Sequence, residues 1–264
     1  MSQNYISQLQ EILGTGITQM ELAKRLGVTF AALNRWLNRH AVPQPRRLLS
    51  IQKLHREMVG FPPLPQKEWA QKLKLAERLK RKNLWDLFAI RENLRDEFLL
   101  EHTYNSNAIE GSTFKKKETE AVLFDKGHLP DKSLIEHLEV VNHAAALRDI
   151  FQKKYQGPIT ELFIKNLHQR LLQGIRQDAG EYAQYERAIR GVNLALAHPE
   201  DIPEEMRCLL KSWQRGRKTV LQKIAYFHTH FEWIHPFGDG NGRVGRLLMA
   251  YQCLKAGYPP VIIE

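Results

Sequence analysis

His235-Pro236-Phe237-Gly238-Asp239-Gly240-Asn241-Gly242-Arg243-Val244-Gly245-Arg246 compresses a proton acceptor, a carboxylate, an amide and two guanidinium groups into one glycine-rich turn and the start of one helix. That mixture is an anion site with a base beside it. Gly240 and Gly242 let backbone N–H groups approach a phosphate closely, because no Cβ stands between them and the ligand. The apolar run that follows, Val244, Leu247, Leu248, Tyr251 and Leu254, has helical spacing and directs the positive end of that helix at the same spot.

Outward from this stretch, composition sets the bounds. A chain of 264 residues with 43% hydrophobic and 9% aromatic content has room for one small and one ordinary domain, each with a core. No apolar run reaches membrane-spanning length, and the N-terminus, Met-Ser-Gln-Asn-Tyr-Ile, lacks the basic and apolar regions of a signal peptide. The expectation is a cytoplasmic chain that does not engage a membrane. Cys208 and Cys253 stand apart from each other and from any Cys-x-x-Cys spacing, so neither a disulfide framework nor a structural zinc site is expected. Charge is unevenly placed: of the net +10, residues 1–100 hold 17 Lys+Arg against 9 Asp+Glu, which suggests that this half meets a polyanion.

The first 58 residues read as a compact helical unit. Thr18, with Glu21 three positions on, caps a helix that Gly27 stops, and Thr29 caps a second helix running to about Asn38. Leu22, Ala23, Val28, Leu33 and Trp36 form the shared core. This spacing resembles the Cro and phage-repressor type of helix-turn-helix domain. The resemblance places Thr29, Phe30, Ala31, Asn34 and Arg35 on the outer face of a recognition helix, with Arg39, Arg46 and Arg47 available for DNA phosphates. Phe30 is unusual at a groove-facing position, and units of this shape also dock proteins, so both readings stay open.

Phe61-Pro62-Pro63-Leu64-Pro65 ends this unit, and Trp69–Glu101 reads as one connector helix rich in Lys and Arg. Beyond it, Leu134, Leu138, Val141 and Ala145 recur at helical spacing until Gly157-Pro158, and Thr160 caps a helix through Leu162, Leu167 and Leu171. Between Gly180 and Pro199 the pattern fails. A helix restarts at Pro203 and runs through Trp213, and another carries Ala225–Ile234 into the opening motif. The expected fold is all-α: a helix-turn-helix domain over 1–58, a linker and connector over 59–101, and a core over 102–264 built of short helices around a central one.

The stretch His235-Pro236-Phe237-x-Asp239-Gly240-Asn241-Gly242-Arg243-x-x-Arg246 matches every fixed position of the signature of the Fic family. The resemblance extends from about residue 100 to the C-terminus and implies a helical Fic (fido) core with a short flap hairpin. It also implies an adenylyltransferase that moves AMP from ATP onto a protein hydroxyl. In such chemistry His235 is the general base for a Ser, Thr or Tyr hydroxyl, a role typically worth ~10²–10⁴ in rate. Asp239 would hold Mg²⁺ against the diphosphate. Gly238, Gly240, Asn241 and Gly242 would cradle phosphates that Arg243 and Arg246 neutralise, and Phe237 would anchor the loop. His228 and His230 sit at i and i+2 of a helix and point apart, so they do not suggest a zinc site.

Upstream, Ser106-Asn107-Ala108-Ile109-Glu110-Gly111 resembles the inhibitory helix of Fic proteins that carry their own brake, here at about 103–111. The resemblance pairs Glu110 with Arg246, where a carboxylate competes with the γ-phosphate. In some relatives the same glutamate helps remove AMP, so the direction of the reaction stays open. The irregular segment with Arg187, Ile189 and Gly191 falls where the family's target-docking flap lies, to which a peptide would add as a strand. Ala183 stands where arginine is usual and Arg187 where an apolar residue is usual. The chain stops at Val261-Ile262-Ile263-Glu264, where relatives commonly continue with further helix. Implied partners are ATP, a target protein with a hydroxyl side chain, DNA through residues 1–58 and a second copy of the chain. UMP or another nucleotide in place of ATP stays possible, as does a DNA-binding regulator whose Fic core only senses nucleotide.

Overall fold

The computed structural model describes residues 4–59, 66–82, 84–125, 127–152, 157–189, 195–214 and 219–263. Among them every regular element is a helix. They fall into two compact units, residues 1–72 with 188–196, and residues 73–187 with 197–264.

In the first unit, α1 (Asn4–Gly14), α2 (Gln19–Arg25), α3 (Phe30–Leu37) and α4 (Pro45–Met58) enclose Leu9, Ile12, Leu22, Ala23, Leu33, Trp36 and Ile51, with Val28 partly buried against them. Thr18 and Thr29 cap α2 and α3, their hydroxyls accepting from Glu21 N and Ala32 N at 3.2 Å. The capping box at Thr18 is half made, because the Glu21 carboxylate turns outward to Arg25 at 3.0 Å. Gly27 makes the turn at φ 62°, where a side chain would be strained. The segment Phe61–Pro65, read as the break after this unit, lies outside the described residues.

The connector expected as one helix is three: α5 (Gln66–Leu79), α6 (Leu84–Ile90) and α7 (Glu92–Ile109). Tertiary contact interrupts the run. Arg81 N–H donates to Gly257 O at 2.8 Å instead of continuing an i−4 ladder, and Trp85 is drawn inward to donate from its indole to Phe151 O at 3.0 Å. Phe88 stacks on Phe151 with centroids 5.1 Å apart.

The second unit continues through α8 (Lys116–Phe124), α9 (Leu134–Phe151), α10 (Glu161–Leu172), α11 (Ile202–Gln214), α12 (Val220–Ile234) and α13 (Asn241–Lys255). Thr160 caps α10 as expected, accepting from Phe163 N at 3.1 Å. α13 is buried along nearly its whole length and packs against α6, α7, α9, α10 and α12, which makes it the central helix. The helix expected from the recurrence of Leu134, Leu138, Val141 and Ala145 is α9, and the spacing of those residues does not mark its buried face. Val140, Ala144, Leu147 and Ile150 are buried, whereas Leu134 is 75% exposed and Val141 is exposed. This helix carries apolar residues on both faces, so spacing alone cannot choose between them. The flap hairpin expected from the resemblance around Arg187, Ile189 and Gly191 falls partly outside the described residues, Gly191 among them, and the described chain on either side forms no strand.

Candidate active site

α12 delivers His235. The last turn of the helix closes when His235 N–H donates to Phe231 O at 2.9 Å, and His235 itself takes the left-handed conformation at φ 50° and ψ 57°. For a residue with a Cβ that conformation costs on the order of 1–2 kcal/mol, so the surrounding contacts must hold it. His235 Nδ1 lies 3.3 Å from Glu232 O. A carbonyl only accepts, so Nδ1 carries the proton and Nε2 is left as the acceptor. Burial holds the imidazole pKa below its ordinary value, with Arg187 adding to the effect and Glu110 and Asp239 opposing it.

The loop from His235 to Gly240 is tied by one side chain. Asn241 Oδ1 accepts from Phe237 N at 2.9 Å and its Nδ2 donates to Phe237 O at 2.8 Å. Asn241, expected to cradle phosphate, thus engages both amide atoms in shaping the loop, and its backbone N–H is what it can offer an anion. Gly240 adopts φ 72° at the start of α13 and supplies no side-chain cap, so the first-turn N–H groups open toward the site. Asp239 accepts from Gly240 N at 2.6 Å and from Arg243 Nη2 at 3.4 Å. Arg243 is only 2% exposed and donates its other arm to Glu139 Oε1 at 2.8 Å. Its guanidinium braces Asp239 from beneath rather than projecting into solvent.

Arg246 joins two motifs 140 residues apart in sequence. Its Nε donates to Ser106 Oγ at 2.8 Å, and its Nη2 to Ser106 O at 2.9 Å and Glu110 Oε1 at 2.6 Å. Glu110 caps the C-terminus of α7, and Gly111 follows at φ 95°, so the helix ends where the carboxylate can reach the start of α13. A Cβ on Gly242 would collide with Glu110 Oε1. The carboxylate therefore lies in the space that the missing side chain of Gly242 leaves open.

A model of the Fic/DOC family matches residues 158–253, and a helix-turn-helix model matches residues 13–55. The solved structure of a Fic-domain-containing signaling protein from Bacteroides thetaiotaomicron is 30% identical, with a TM-score of 0.60, over 75% of this chain and 76% of that one. This chain belongs to the Fic family. Protein adenylyltransferase Fic from Nematostella vectensis is 34% identical over 64% of this chain and 40% of its own length. The Aedes aegypti protein of the same name is 32% identical over 64% of this chain and 34% of its own. The chain thus spans well under half the length of these curated relatives.

Several groups that hold the Fic site together carry no sequence signal of their own. His168, on α10, stacks on Phe237 at 3.7 Å, accepts from Gly180 N at 2.8 Å through Nδ1, and reaches Asp239 O at 3.1 Å through Nε2. Burial lowers its pKa to about 4, which suits a neutral ring that accepts on one side and donates on the other. His102 and His143 stack at 5.3 Å behind the two arginines. Burial brings His102 down to about 4 and His143 well below its ordinary value. Neutral rings can lie near Arg243 and Arg246 without adding charge to them. Glu232 is the converse: burial pushes its carboxyl up to about 7, with Arg246 opposing and Glu110 reinforcing.

Ahead of the segment expected to form the flap, Ala183 N–H donates to Pro236 O at 2.9 Å. Arg187 is half-buried and faces the turn at His235, while Ile189 is partly buried and Gly191 lies outside the described residues. Arg176 and Asp178 form a bidentate pair at 2.7 and 2.8 Å beside Gly238, and a Cβ on Gly238 would collide with the Tyr185 hydroxyl. In the helix-turn-helix domain, Thr29, Phe30, Ala31, Arg35 and Arg39 are exposed and Asn34 is partly so. Arg47 differs from expectation: it donates to Leu26 O at 2.8 Å and so caps α2. Among the described residues no helix is long and apolar enough to cross a membrane, and no cluster of His, Cys, Asp and Glu could hold a metal by itself.

Proposed function

We propose that this Fic protein is an adenylyltransferase that moves AMP from ATP to a Ser, Thr or Tyr hydroxyl of a protein, and that Glu110 restrains it. The observation that carries this reading is the single locus where a neutral imidazole, an uncapped helix N-terminus and an arginine held by a displaceable carboxylate converge. In the reaction, His235 Nε2 takes the proton of the attacking hydroxyl. The hydroxyl oxygen bonds to the α-phosphorus, the bond from that phosphorus to the β-bridging oxygen breaks, and pyrophosphate leaves. The N–H groups of the first turn of α13 and the Arg246 guanidinium stabilise the charge on the departing phosphates.

Mg²⁺ fits this site as a shared ion rather than as a protein-only one. Asp239 offers a single carboxylate, nearly half exposed, at the edge of the phosphate nest. Mg²⁺ commonly takes one or two carboxylates and completes its shell with substrate phosphate and water. Asp239, braced by Arg243 and by Gly240 N–H, would hold the ion, whose charge would offset that of the diphosphate. Residues 187–191 would receive the target as an added strand, which selects by backbone pairing more than by side chain.

Intact-mass spectrometry tests the reading. The Glu110→Gly form, incubated with Mg²⁺ and each nucleoside triphosphate in turn, should gain one AMP from ATP. His235→Ala in that background should gain nothing, and the unmutated protein much less. No gain of mass from any nucleotide, with the chain folded, would dismiss the transferase. The N-terminal domain would bind DNA through Asn34 and Arg35 on α3, with Arg39 on phosphate. Arg35→Ala with Arg39→Ala should weaken DNA binding and flatten its salt dependence, without reducing auto-modification.

A further inference from the structure

A helix that ends in its catalytic residue leaves the carbonyls of its last turn without intrahelical partners. In α12, Phe231 O and Glu232 O are taken by the backbone N–H and the Nδ1 of His235. Ile234 O and His235 O, at the very end of the helix, both turn to Arg187. Its Nη2 donates to Ile234 O at 3.1 Å and its Nε to His235 O at 2.9 Å. The same guanidinium donates to Ala197 O at 2.8 Å and to Tyr185 O at 3.1 Å. All four acceptors are main-chain carbonyls, and among the described residues no carboxylate pairs with Arg187. The neighbouring Glu186 is directed to His198 instead, at 3.2 Å.

Two features make this more than a packing contact. Ile234 O and His235 O belong to the peptide groups immediately before and after the α-carbon of His235, so one rigid fork fixes both planes flanking a residue in the left-handed conformation. Those two planes define φ and ψ at His235, and with them the direction of the imidazole. The cation also stands at the negative end of α12, where the helix dipole favours it. We propose that Arg187 is a positioning residue for the general base: its guanidinium locks the peptide groups on either side of His235 and couples them to the base of the flap at Tyr185 and Ala197.

A lysine could supply the charge but has no planar fork to span the two peptide groups, which separates position from electrostatics. The charged groups facing His235 are Arg187 from the flap base, Glu110 from the end of α7 and Asp239 from its own loop. Of these, only Arg187 disfavours the imidazolium. Its removal therefore raises the pKa of His235 toward the ordinary value.

The inference rests on the transferase reading for its kinetic arm and not for its titration arm. In the Glu110→Gly background, Arg187→Gln should lower kcat for AMP transfer by about 10- to 100-fold, the effect of a base displaced by a fraction of an ångström to an ångström, with KM for ATP within about twofold. Arg187→Lys should recover less than half of that loss on a logarithmic scale. In nucleotide-free and metal-free protein, the His235 imidazole, assigned in NMR spectra by its absence in His235→Ala, should titrate at higher pH in Arg187→Gln than in the parent, and near the parent value in Arg187→Lys. Circular dichroism and thermal melts select variants that remain folded. An unchanged kcat, full recovery by lysine, or an unmoved His235 titration in folded Arg187→Gln would each overturn the proposal. Absence of AMP transfer with Arg187 intact would refute the transferase alone and leave the titration to decide the role of Arg187.

Discussion

Replacing Glu110 with glycine should tighten ATP binding by about tenfold or more, and the magnitude follows from one contact. Arg246 Nη2 and Glu110 Oε1 are 2.6 Å apart, with side chains 9% and 34% exposed. A hydrogen bond between charged groups contributes about 1.5–3 kcal/mol, and the exposure of Glu110 moves the figure toward the lower end, about 1.5–2 kcal/mol. A phosphate entering beside Gly242 must break that contact, and its absence corresponds to an affinity gain of about 10- to 30-fold. Repulsion between the carboxylate and the phosphate adds to this, so the range is a lower bound. Calorimetric titration of ATP into His235→Ala protein, which keeps the nucleotide intact, with and without Glu110→Gly gives the comparison. Glu110→Gln, isosteric and uncharged, should lie between them. Arg246 keeps both bonds to Ser106 in either variant, so its orientation is retained. Affinities within threefold of each other across the three proteins would refute the idea that the carboxylate occupies the phosphate's place.

Acid should loosen the core in a defined window. His102 and His168 have folded pKa values near 4 against about 6.5 in the unfolded chain, so the unfolded state binds more protons as pH falls, and stability present above pH 6.5 is lost down to about pH 4. Linkage puts the loss at up to about 3 kcal/mol for each group, and urea melts at pH 7.5 and 5 should differ less in His102→Phe or His168→Phe protein than in the parent. Asn241→Ala, which deletes both bonds to Phe237 in a buried loop, should cost about 2–4 kcal/mol and abolish nucleotide binding, read by melting and by calorimetry. Leu33→Ala, at a fully buried position of the helix-turn-helix core, should cost about 2–5 kcal/mol in that unit, measured as amide hydrogen exchange in residues 4–59, while His235 chemical shifts stay in place.

Local signals were legible where the chemistry is local. Thr18, Thr29 and Thr160 announce their helices because a hydroxyl can satisfy an N–H two or three residues on, whatever the rest of the chain does. The connector was misread because propensity continues through Lys80–Asn83, whereas the Arg81–Gly257 backbone bond interrupts it from 176 positions away. The inward face of α9 is not legible from spacing because both faces are apolar; in the fold its His143 meets Thr103 and its Glu139 meets Arg243. His168 and Glu139 were missed for a related reason. A buried polar residue is defined by its partners, and those are the Asp239 carbonyl and the Arg243 guanidinium, 71 and 104 residues away.

The amino-acid order alone determined the chemistry available at residues 235–246, the two-helix geometry of residues 18–38 and the all-α class, since each depends on residue type and spacing within a few turns, whereas Ser106 and Glu110 were marked by the family resemblance. Only the tertiary structure decided which groups meet. It set Glu110 against Gly242, gave Arg243 to Glu139 and Asp239, made Asn241 a clamp, and turned the Arg187 guanidinium onto the carbonyls around His235. The physical reason is reach: a side chain's donors and acceptors act within about 3 Å, and which partner comes within that distance is fixed by helix packing rather than by neighbours in sequence.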